Sequence, residues 1–148
     1  MARLLLGSRA QLVPLVLRVA AGAIFLGFSV GKFSHHAKET ASFDRFGLPF
    51  PSEFVYAIGT TELVFGALLV LGLFTRLAAL ALVGDMVGAI ATAGAVDGGF
   101  VNLGVAPILL VTMLALVWLG PGRWSVDELV LRTLLGRRRS AAAPAPAA

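Results

Sequence analysis

Residues 53–74, from Glu53 to Phe74, are almost wholly apolar and long enough to cross a bilayer as one helix, yet they carry a carboxylate, Glu62, near the middle. A charge at that depth costs about 2.5–3.5 kcal/mol on insertion scales. It is tolerated where the side chain faces other helices and meets a partner there. Arg18 and Asp85 also interrupt apolar runs, and they are the partners on offer. The stretch predicts an all-α membrane bundle with a small charged centre.

The totals agree. Of 148 residues, 58% are hydrophobic and only 14% charged, where a soluble domain carries about a quarter charged residues. The mean hydropathy is +0.91. The net charge of +4 is weighted toward Arg132–Arg139, beside the last apolar run. That placement suits anionic lipid headgroups, and with no soluble domain left over, nucleic acid is not an expected partner. The chain has no cysteine, which excludes disulfides, dithiol chemistry and thiolate metal sites. No cofactor is expected within the chain itself. A redox role would have to borrow one, and a quinone is the candidate.

Four spans are predicted, at about 12–31, 54–74, 76–95 and 101–119, in one membrane domain covering 1–136. The first is read as a retained helix with Pro14 in its first turn. Ala20, Ala23, Gly27 and Gly31 give it small-residue spacing for a close helix neighbour. Between Lys32 and Ser52 a short helix over 38–46 is expected, then a turn at Gly47-Leu-Pro49-Phe-Pro51. Its phenylalanines place this connection on the bundle mouth. Adjacent His35 and His36 make a poor metal pair and are read as solvated.

Ser52 is the expected cap of the second span. There Gly59, Glu62 and Gly66 share one face, so the acid sits in a groove of glycines. In the third span Ala78, Ala81, Leu82, Asp85, Gly88, Ala89 and Thr92 share another. The fourth carries Pro107, a candidate kink, and Trp118, a candidate interface anchor. Ser125-Val-Asp-Glu128 is a capping-box pattern opening a short amphipathic interfacial helix. The tail 137–148, basic and then Ala/Pro-rich, has no means to form a core and is expected to be disordered.

Basic residues outside the spans gather on the side shared by both termini, which predicts a multi-pass protein with cytoplasmic N- and C-termini. At about 1.5 Å per residue, Asp85 falls near the midplane, Glu62 slightly outside it, and Arg18 roughly a turn toward the cytoplasm. A buried cluster of Arg18 with Glu62 and Asp85 is therefore expected. Snorkelling of Arg18 to the interface is the plainer alternative. Two acids and one base leave surplus negative charge, so the cluster needs a proton or a further donor.

Several stretches in order resemble the DoxX family of small bacterial membrane proteins. They are Arg18-x-x-x-Gly22, Gly31-Lys32-Phe33, Gly47-Leu-Pro49, the run from Glu62 through Gly66, Gly72, Thr75 and Arg76 to Ala78, and Gly120-Pro-Gly122-Arg123-Trp124-Ser125-x-Asp127. The resemblance implies a four-helix bundle in the bacterial plasma membrane. It also implies a subunit of a membrane redox or oxidative-stress system, with a soluble or membrane redox partner. Related branches use cysteines, and this chain has none.

Three readings stay open. One is a redox-associated subunit holding a quinone or lipid-like ligand at Arg18, Glu62 and Asp85, with Gly22, Gly59 and Gly66 giving close approach. Another is a small proton-coupled transporter or ligand-binding bundle, working as a homo-oligomer. The third is a scaffold whose charges only fix helix register. No catalytic residue is assigned; the candidates are Glu62 and Asp85.

Overall fold

A computed structural model describes residues 2–122, 124–130 and 133, with side chains from Leu12 onward. The described residues form helices α1 (Ala2–Ser34), α2 (His36–Arg45), α3 (Pro51–Leu71), α4 (Thr75–Ala89) and α5 (Ala106–Leu119). π-helical turns at Ile90–Gly94 and Val101–Val105 extend α4 and precede α5. Four segments are long and apolar enough to span a membrane: Leu12–Ser34, Pro51–Leu71, Thr75–Gly94 and Val101–Leu119. They match the predicted spans to within a turn.

The spans close a ring in which α1 packs on α3, α3 on α4, α4 on α5 and α5 back on α1. Each gives one stripe to the core. Phe25, Leu69, Leu82, Met113 and Leu116 are fully buried in it. Leucines, valines and phenylalanines cover the outside, as a lipid-facing surface requires.

Gly22 and Gly66 mark the α1–α3 crossing. A Cβ on Gly22 would lie 2.7 Å from the Gly66 carbonyl oxygen, so the two backbones touch. Seven residues further along α1, Ser29 donates to the Gly59 carbonyl at 2.8 Å, seven residues back along α3. These two contacts fix an antiparallel register.

Several local expectations are corrected. Helix α1 starts ten residues before Leu12, so Pro14 lies inside it, buried, instead of in its first turn. The close-packing face of α1 runs through Ala21, Gly22, Phe25 and Ser29. Ala20, Ala23 and Gly27 lie off that face and are exposed. Ser52 does not cap α3. Phe50 takes that place in a left-handed conformation, and the Ser52 hydroxyl pairs with His36 Nε2 at 3.0 Å.

His36 is therefore half-buried and not simply solvated; its ring stacks on Tyr56 at 4.1 Å. Pro107 stands in the first turn of α5, after the π turn, where its missing N–H breaks no α-helical bond. Ser125 does act as a cap, its Oγ accepting from the Glu128 N–H at 3.1 Å. Trp118, at 85% exposure, projects from the bundle as an anchor would. The tail 137–148 and its arginines lie outside the described residues.

Candidate functional site

The ionisable residues inside the bundle form two separate constellations, one at each end. At the end where α3 turns into α4, the chain after α5 folds back over Arg18. The Arg18 guanidinium donates through Nη1 to the Pro121 carbonyl at 2.8 Å and through Nη2 to the Trp124 carbonyl. Gly72 makes room for it. A Cβ there would collide with the guanidinium and lie 2.8 Å from Ser125 Cβ, and its φ of +69° suits glycine.

Asp127 completes this clasp. Its carboxylate accepts from the N–H groups of Phe74 at 2.8 Å and Thr75 at 3.0 Å, the open end of α4. The same residue's N–H donates to the Gly72 carbonyl at 3.1 Å. A carboxylate at a helix N-terminus is favoured by both the free N–H groups and the helix dipole. It also holds Phe74 at φ +47°, a backbone state that phenylalanine seldom adopts.

The other constellation lies toward α2. Lys32 Nζ donates to both oxygens of Glu62, at 2.9 and 2.8 Å. Glu62 is 2% exposed and the Lys32 side chain 14%. The ammonium also lies 5.9 Å from the Phe28 ring centroid, a cation–π distance. Asp85 on α4 adds a second carboxyl that interacts with both Lys32 and Glu62, and its Oδ2 is buried with no hydrogen-bond donor.

The expected Arg18–Glu62/Asp85 cluster is thus corrected: the cation beside the two acids is Lys32. Helix geometry explains the exchange. In the α1–α3 register Glu62 stands level with Leu26. Lys32 lies about 9 Å beyond that level and Arg18 about 12 Å short of it. Side chains on a helix tilt toward its N-terminus. Lys32 and Glu62, on antiparallel helices, therefore lean toward each other, and Arg18 and Glu62 lean apart. By hydropathy alone Lys32 falls outside the span. The missed signal is its phase: Phe25, Ser29 and Lys32 follow one another at intervals of four and three, on one buried stripe.

A cavity of about 660 Å³ reaches this centre, within the size range of small-molecule sites. Lys32, Glu62 and Asp85 line it, among mostly apolar walls that include Phe28, Phe43, Phe46 and Phe54. It exists because its α1 and α4 walls carry glycines. Gly27, Gly31, Gly84 and Gly88 all line it, and a Cβ built on any of them meets nothing within 4 Å. The π turns contribute Thr92, Ala93, Val101 and Asn102 to the wall.

Helix α2 contributes Glu39, Ser42, Phe43 and Phe46 to the lining. It buries no residue of its own. It is tied down by the His36 contacts at one end and by an exposed Arg45–Asp97 ion pair at 3.3 Å at the other. Of the residues singled out in the sequence, Glu62 and Asp85 face the cavity. Gly22, Gly59 and Gly66 are helix-contact positions, and Arg18 belongs to the clasp. Among the described residues no cluster of three or more metal-ligating side chains forms.

Comparison with known proteins gives the same frame. The chain is 36% identical over 126 residues to an uncharacterized membrane protein of Mycobacterium tuberculosis, covering 76% of this chain and 77% of that one. No solved structure matches it. The DoxX family profile matches residues 13–95, from the first span through the third, and takes in Arg18, Lys32, Glu62 and Asp85. With four membrane-spanning helices around that matched core, the chain belongs to the DoxX family of integral membrane proteins.

Proposed function

We propose that the protein is the membrane-embedded, ligand-holding subunit of a redox system, and that its cavity seats a quinone or a similar lipid-like molecule. One observation carries this reading: an apolar cavity of ligand size runs to a buried charged centre. A scaffold would need the ion pair but not the space beside it. Apolar walls with a few convergent polar groups are what small-molecule sites consist of. The redox assignment draws on the family resemblance, with electrons supplied by a partner, since the chain has no cysteine. By the positive-inside rule, the clasp faces the cytoplasm and is the side on which a soluble partner would dock.

The test is chemical. Protein purified in mild detergent should carry a quinone or prenyl lipid that organic extraction and mass spectrometry identify. Gly84→Phe should abolish its retention, because Gly84 lines the cavity and a Cβ there meets nothing within 4 Å, leaving a larger side chain to take up the ligand's space. Absence of any such molecule, together with unchanged survival of oxidative challenge in a Glu62→Gln strain, would defeat the reading.

A further inference from the structure

We propose that α2 is a lid on this cavity, and that a ligand's head group passes the end of α2 that Arg45 and Asp97 hold shut. The proposal rests on the cavity being a ligand site, as read above, and adds how the site opens. The inner face of α2 carries Glu39, Phe43 and Phe46 at helical spacing, and all three line the cavity. That face stands over empty volume where an ordinary amphipathic helix would meet a core, and α2 buries no residue. Helices α1, α3, α4 and α5 each bury several. A segment with so few buried contacts belongs to the low-stability end of a fold, from which lids are drawn.

Its tethers say which way it moves. At the first residue of α2, His36 pairs with Ser52 and stacks on Tyr56, both on α3. Just before it, at His35, the backbone leaves helical geometry (φ −119°, ψ 36°), so α2 is jointed to α1 there. That end is the pivot. Beyond the other end, Gly47 at φ +73° begins the loop back to α3 and supplies slack. Among the described residues, one polar contact crosses from α2 to the α4–α5 hairpin: Arg45 Nη2 donates to Asp97 Oδ2 at 3.3 Å. Both residues are exposed, so water competes for them and the pair is weak. It is a latch that holds α2 down without locking it. With α2 down, Glu39, Phe43 and Phe46 wall in a head group beside Lys32. With it raised, that head group can leave.

The full chain in nanodiscs is loaded with decylubiquinone, and its release into empty nanodiscs is timed by native mass spectrometry. As the chain has no cysteine, Arg45→Cys with Asp97→Cys bears the only two thiols. Bridging them with a reducible bis-methanethiosulfonate should slow release about ten-fold, and reduction should restore it. Asp97→Ala, which frees the latch, should speed release about three-fold.

Equal release from bridged and reduced protein overturns the lid. It puts the route on the lipid side, past the exposed Gly84 and Gly88, with the cavity still a ligand site. Should no form retain decylubiquinone, the quinone reading fails and the lid is judged without a ligand. Nitroxides on Ala41→Cys and Val96→Cys, both exposed positions, should then report two separations by pulsed electron paramagnetic resonance. The longer one should gain in Asp97→Ala. A single separation that Asp97→Ala leaves unchanged overturns the lid.

Discussion

The two charged constellations are built alike and differ in what they leave open. Each buries a cation of α1 near one end of the bundle, and each has an acid on another segment close by. In the clasp, Arg18 ends on two backbone carbonyls and Asp127 on two backbone N–H groups. No room remains, as even a methyl group at Gly72 would collide. Both leave buried polar atoms unpaired, Arg18 Nε and Thr75 Oγ1 in the clasp and Asp85 Oδ2 at the Lys32 centre, but at the Lys32 centre the charges end on side chains and a cavity lies alongside. A closed arrangement that satisfies backbone groups serves the fold. An open one, with its charges on side chains beside empty volume, can serve a ligand.

The comparison is broken most directly at Lys32. Lys32→Met leaves Glu62 and Asp85 buried without their cation and should cost about 3–5 kcal/mol, read as a large loss of thermal stability in detergent. Lys32→Met combined with Glu62→Leu should recover much of it while abolishing ligand retention. Recovery of both together would make this centre structural, like the clasp. Next comes Arg18→Met, which strands two carbonyls and releases the segment after α5. A loss of about 2–3 kcal/mol is expected, and retained ligand per folded chain should not change. If ligand were lost as well, the two ends would be one coupled site.

Asp127→Ala removes the cap of α4 and should cost about 1 kcal/mol, visible as a modest fall in melting temperature. The smallest stability effect is expected from Gly84→Phe, within about 0.5 kcal/mol. It should nevertheless empty the cavity, and a large destabilisation instead would show that the α4 wall is tighter than the structure has it.

The spans were legible because bilayer length and hydropathy settle them locally. The Gly59–Glu62–Gly66 face was legible because helical phase does the same, and the Ser125 cap is a four-residue pattern. What failed depended on contacts between distant segments. Arg18 was paired by depth alone, and depth ignores the opposite tilt of side chains on antiparallel helices. Lys32 stands at the edge of its apolar run, where a charge reads as the start of the polar connection, although a buried stripe can run a turn further.

The cap on α4 comes from Asp127, more than fifty residues downstream, and no local pattern announces it. The π turns are equally silent, since they alter hydrogen-bond register without altering composition.

Those π turns bear on how the protein tolerates change in length. Each accommodates one residue more than the α-helical turn it replaces. Losing a single residue from the Ile90–Gly94 turn would tighten it into ordinary helix and rotate residues 95–97 ahead of the Gly98–Gly99 corner, carrying Asp97 away from Arg45. The far hairpin is thus a place where relatives can differ by one deletion, keep all four spans, and still hold α2 differently over the cavity.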